Sequence, residues 1–117
     1  MAFDHLKTRF KKWAVKSVLF LRNLPDTPEY RVIRYQLTKS ASSSAANYRA
    51  VCRAKSKADF ENKLKIVEEE LDESLFWFEF IQELSDEYNS EIVPLIKEGD
   101  ELLSITVKSI LTSKNKK

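Results

Sequence analysis

Four cations lie close together near the middle of the chain: Arg49, Arg53, Lys55 and Lys57, in the stretch NYRAVCRAKSK. Arg49 and Arg53 are four apart, so on a helix they share one face, and Lys57 continues the line if the helix persists. Cations aligned in this way can follow a phosphate backbone, which makes these four the candidate nucleic-acid contacts. The competing use is pairing with acids. The run VEEELDES places Glu68, Glu69, Glu70, Asp72 and Glu73 on one neighbouring segment, where they can answer basic side chains such as Arg31, Arg34 and Lys39. Lys39 belongs to the pairing use, because the hairpin described below puts it nearly opposite Asp72 and Glu73. The four cations near the turn have fewer acids within reach.

Other chemistry has little to work with. Cys52 would need a base to become a thiolate, and the single histidine, His5, lies on another segment near the chain start. Carboxylate-bridged metal sites in helical bundles draw glutamates from several helices and add Glu-x-x-His pairs. Here the acids crowd one helix with no histidine among them, so no metal and no cofactor is expected. A phosphate-cradling glycine loop is excluded, since Gly99 is the only glycine. Trp13 and Trp77 stand at helical spacing among leucines and phenylalanines, as core or interface anchors do. These absences argue against an enzyme.

The elements that must position the cations follow from composition. The 117 residues suit one domain with a single core. One glycine and three prolines are too few for the frequent turns of a sheet protein, which points to a few long helices. No apolar run approaches the ~20 residues of a membrane span, and the N-terminus has no apolar signal core, so a cytoplasmic location and no membrane partner are expected. Charge is divided along the chain. Residues 1–57 carry 13 Lys and Arg against 3 Asp and Glu, while residues 58–117 carry 7 against 15. The basic half is suited to phosphate binding, and equally to pairing with the acidic half within or between subunits.

Periodicity predicts four helices. The first runs from about Asp4, a candidate N-cap, to Asn23, with Phe3, Leu6, Phe10, Trp13, Ser17 and Phe20 or Leu21 on one face. Pro25 stops it. Asp26 or Thr27 caps the second, and Pro28 fits its first turn. Its stripe of Tyr30, Ile33, Leu37, Ala41, Ser44, Tyr48 and Val51 runs without a phase break through Ser40–Ala46, a segment of serine and alanine alone. A flexible linker would carry glycine, proline or several charges. The segment therefore reads as helix, with small side chains facing bulky ones on the third helix. Ser56 caps that third helix, with Asp59 in a near capping box. Its stripe runs from Phe60 through Leu64, Val67, Leu71, Phe78 and Ile81, and Trp77, Phe80 and Leu84 broaden it. The hairpin between the two helices puts Val51 opposite Phe60 and Leu37 near Ser74. Ser90 caps the fourth helix, Pro94 sits in its first turn, and Gly99 is a weak point of about 1 kcal/mol relative to alanine. The expected architecture is an all-α, antiparallel up-down four-helix bundle over residues 1–112, followed by a disordered basic tail, 113–117.

The segment SASSSAANYRAVCRAKSKADFENKLKIVEEELDESLFWFEFI resembles the central signature of a bacterial family of four-helix bundle proteins. That family includes proteins encoded by intervening sequences inside 23S ribosomal RNA genes. The matching positions are Ser43, Ala46-Asn47-Tyr48-Arg49, Arg53-Ala54, Ser56-Lys57, Asp59-Phe60, Lys63-Leu64, Glu70, Glu73 and Trp77. Ala50 departs from the pattern, since a glutamate often stands there. The resemblance implies an antiparallel four-helix protomer, assembly as a homopentamer, and no enzymatic activity. It also brings in a related accessory protein of diversity-generating retroelements, which works with a reverse transcriptase and nucleic acid. Two functions follow as expectations. One is an oligomeric bundle that binds RNA or DNA through Arg49, Arg53, Lys55 and Lys57. The other is a structural or adaptor oligomer whose partner is a protein such as a reverse transcriptase.

Overall fold

The computed structural model describes residues 2–116, with side chains from His5 to Lys116. The expected roles of Phe3 and Asp4 lie outside the described side chains. Four helices follow one another: α1 (Ala2–Leu21), α2 (Pro28–Val51), α3 (Lys57–Leu84) and α4 (Asn89–Lys114). They run up and down as an antiparallel bundle of 50 × 21 × 20 Å, in which α2 packs on α3, α3 on α4 and α1 on α2, with a slighter α1–α4 contact.

Local signals set most boundaries. Of the two candidate caps for α2, Thr27 accepts the Tyr30 N–H, satisfying a donor that the first turn leaves without a helical partner. Asp26 instead binds Arg31 at 2.8 Å. Ser56 accepts the Asp59 N–H, as a capping residue should. The fourth helix begins differently from expectation. It starts at Asn89 with no side-chain cap, and Ser90 lies inside it. Packing fixes this start: the Tyr88 ring meets Phe20 and Tyr30 edge to face. Pro94 consequently falls beyond the first turn. At its other end α4 continues through Lys114, past the expected boundary at 112, and the Ser113 hydroxyl donates to Glu61 at 2.6 Å.

The serine-alanine segment is continuous helix. Ser40, Ala41 and Ser44 are fully buried, and the hydroxyls of Ser40 and Ser74 share a hydrogen bond of 2.8 Å across the α2–α3 contact. Small side chains here let the two helices approach closely while their polar atoms stay satisfied, Ser44 by donating to the Ala41 carbonyl. Gly99 serves a similar close approach. A Cβ there would stand 2.9 Å from Leu75 Cδ2 and 3.1 Å from the Trp13 ring. The position thus gives Trp13 its place, and the Trp13 indole N–H donates to the Leu95 carbonyl at 2.9 Å. The core runs the length of the bundle from Phe10, stacked on Tyr48 at a 4.5 Å centroid separation, to Phe78, which meets Trp13 and Phe20. Phe80 and Leu84 do not broaden the core as expected: both are exposed, and only Trp77 packs partly against it.

Candidate nucleic-acid interface

The last turns of α2 and the first turns of α3 meet through a short, well-bonded connection. α2 closes with a tight turn in which Arg53 and Ala54 donate backbone N–H groups to the Ala50 and Val51 carbonyls, at 3.0 and 3.1 Å. The Cys52 thiol donates to the Tyr48 carbonyl at 3.5 Å, a structural use of the lone cysteine. Asp59 then reaches back to accept the Lys55 N–H at 3.0 Å and also pairs with Lys63. The Lys63 ammonium, with the Lys55 N–H second, holds the Asp59 carboxyl below the usual carboxylate range.

Beside this turn lies an open groove of about 620 Å³ lined by Arg49, Arg53, Lys55 and Lys63, together with Ala46, Ala50 and Asp59. Three of the four expected cations therefore share one surface. Lys57 is turned away: its ammonium donates to the Lys116 carbonyl at 2.6 Å and lies 4.0 Å from Glu61. Lys63 takes the fourth place in the groove. The hairpin register carried this information, since in a pairing that sets Val51 opposite Phe60, residue 63 falls near Arg49. Among the described residues, no carboxylate lies within 4 Å of the Arg49 or Arg53 guanidinium. The other arginines of α2 are engaged locally, Arg31 by Asp26 and Arg34 by Asp26 and the carbonyls of Leu24 and Pro25. Lys39 faces the acidic side of α3, where its charge partly offsets a rise in the Glu70 pKa. Burial and then Glu73 cause that rise.

The groove is one part of a wider charge pattern. Antiparallel packing brings the start of α1, the end of α2, the start of α3 and the end of α4 to the same end of the rod, as the Phe10–Tyr48, Lys57–Lys116 and Ser113–Glu61 contacts record. Residues 5–12, 46–65 and 108–116 at this end hold 13 Lys and Arg against 2 Asp and Glu. The opposite end, residues 19–36 and 76–98, holds 4 against 8. Positive charge concentrated in this way raises the local concentration of polyanions. The arrangement can bind phosphates. Among the described residues, no group of three His, Cys, Asp or Glu side chains is placed to hold a metal ion, and no helix is long and apolar enough to cross a membrane.

Neither a family model nor a curated protein sequence matches the chain. Among solved structures it is similar to a protein of unknown function from the S23 ribosomal protein family of Bacteroides thetaiotaomicron. The two are 25% identical with a TM-score of 0.84, over 94% of this chain and 98% of that one. The likeness spans all four helices and agrees with the four-helix bundle family that the sequence resembles.

Proposed function

We propose that this chain, which has the fold of a protein of the S23 ribosomal protein family, is a non-enzymatic cytoplasmic protein that binds RNA or DNA. The contacts are phosphate contacts made by Arg49, Arg53 and Lys55, with Lys63 beside them and Lys57 flanking the groove. The observation that carries this reading is the basic end of the bundle, where two guanidinium groups stand clear of any described carboxylate. Such contacts fix position without reading bases. In a homo-oligomer, a homopentamer by family analogy, each groove is repeated, and several modest contacts act together.

The test is binding of a structured RNA over a salt series. Affinity should fall linearly on a log–log plot between about 50 and about 200 mM salt, and Arg49→Gln with Arg53→Gln should weaken it about tenfold without lowering the melting temperature. An affinity that is absent at low salt, or indifferent to salt, removes the reading.

A protein-binding adaptor is the second reading, supported by a different surface. Phe76 and Phe80 are exposed on α3 and cluster with Trp77 at centroid separations of 4.9 to 5.9 Å. On that reading the arginine substitutions disturb assembly, seen by light scattering, more than they disturb RNA binding.

A further inference from the structure

The outward surfaces of α1 and α3 are built as complements. Residues 5–22 hold six Lys and Arg and no Asp or Glu, whereas residues 66–96 hold no Lys or Arg. On the outer side of α1, Lys11, Lys12 and Arg22 surround Val15 and Leu19, all five exposed. On the outer side of α3, Glu69, Glu73 and Glu83 surround Phe76 and Phe80, again all exposed. Steps of three and four residues keep each set on one side of its helix. Among the described residues, none of these six charged groups forms an ion pair within the chain. The two helices occupy opposite corners of the bundle, since each packs on α2 and α4, and they run in the same direction. The core ties their heights together. Trp13 and Phe20 both meet Phe78, at centroid separations of 6.5 and 6.2 Å, and Trp13 and Leu75 both close on Gly99. Val15 thus stands about level with Phe76, Leu19 with Phe80, Lys12 with Glu73 and Arg22 with Glu83.

From this register we infer that the outer face of α1 docks on the outer face of α3 in a second copy of the chain. A sideways step with no shift along the rod sets the two helices side by side and parallel. Val15 and Leu19 then meet Phe76 and Phe80, while Lys12 and Arg22 meet Glu73 and Glu83. Apolar side chains fill the centre of this contact and charges its rim, with the two phenylalanines as anchors. Opposite charge at matched heights fixes the register, because a slide along the rod separates the pairs. Another protein would have to reproduce this four-position match, which the chain itself already carries. Each copy gives one face and receives on the other, so the contact is head-to-tail and repeats. A single helix face is a small interface, so association is reversible and grows with concentration. The groove of Arg49, Arg53, Lys55 and Lys63 touches α3 at Asp59 and Lys63, and Lys63 precedes Glu69 by about 9 Å of helix, so it stays open. The contact does not depend on the phosphate-binding reading. It keeps the rods parallel, however, and so points every basic end the same way.

The experiment is sedimentation velocity of the full chain at low salt, from about 1 to about 300 µM, over which the mean mass should rise above that of one chain. Lys12→Glu with Arg22→Glu should leave single chains throughout, and so should Glu73→Lys with Glu83→Lys. An equimolar mixture of these two variants should associate again, as should a chain carrying all four changes, since each reversed face then meets its complement. Phe80→Ser should weaken association about tenfold or more. Circular dichroism of every variant should keep the helical signal of the parent. A parent that stays a single chain at every concentration overturns the inference and leaves the phosphate reading untouched. An assembly that persists unchanged in both reversal variants is held by other faces, which overturns it equally. Folded reversal variants that stay apart when mixed remove the pairing of α1 with α3.

Discussion

The two ends of this bundle are built from the same four helices and share one core, yet their surfaces are opposites. One end gathers cations and engages Asp59 and Glu61 internally. The other carries more acids than cations and exposes Phe76, Phe80 and Leu84. The sequence divides charge between a basic first half and an acidic second half. Up-down packing converts that division into an axial one, because each end collects alternating helix starts and stops. Polarity along the rod is therefore a product of topology acting on charge, and either pattern alone is a poor guide to where an anion would bind.

The interior should not tell the ends apart. Phe10 at the basic end and Phe78 toward the acidic end are both fully buried, so alanine at either should cost about 3–5 kcal/mol in urea denaturation. Phe76, on the same helix as Phe78 but 52% exposed, should change stability by no more than about 0.5 kcal/mol when replaced by alanine. A large loss at Phe76 in the dilute chain, where copies are apart, would mean that the ring packs within its own bundle, and the contrast between the surfaces of the two ends would fail.

A smaller effect sharpens the comparison at the basic end. Asp59 has a lowered pKa, from Lys63 first and the Lys55 N–H second. Its contribution to stability is therefore present above the ordinary carboxylate pKa and is lost as pH falls through the lower, folded value. Asp59→Asn should remove that pH-dependent part, read as a denaturation midpoint that varies less between about pH 5 and about pH 2 than in the parent chain. The same change should tighten nucleic-acid binding a few-fold at neutral pH, since it takes a negative charge from the groove wall and frees Lys63. Glu79→Gln, at the far end, should leave that affinity unchanged, because screening is nearly complete beyond about 10 Å. Equal gains from both substitutions would point to net charge rather than to a localised site.

Much of the fold was legible because it is written in local chemistry. Pro25 ends one helix, Thr27 and Ser56 begin two others, and an unbroken stripe through Ser40–Ala46 identifies helix where composition suggests a linker. The start of α4 was not legible, since it is fixed by the Tyr88 ring against α1 and α2 and not by a cap at Ser90. Gly99 looked like a flaw in a helix and is a place for Trp13, which only the α1–α4 contact reveals. In the candidate site the sequence supplied Arg49, Arg53 and Lys55 through spacing on one helix and its turn. Lys63 belongs to the next helix and enters through the hairpin register, while Lys57 is drawn off by the Lys116 carbonyl, a partner 59 residues away.

The most direct test of the account is a backbone amide NMR titration of the chain with a short structured RNA at low salt. Chemical-shift changes should cluster at residues 46–65, and those at residues 76–91 should stay within noise. Changes centred on Phe76, Phe80 and their acidic neighbours, with the Arg49 and Arg53 region unmoved, would contradict it.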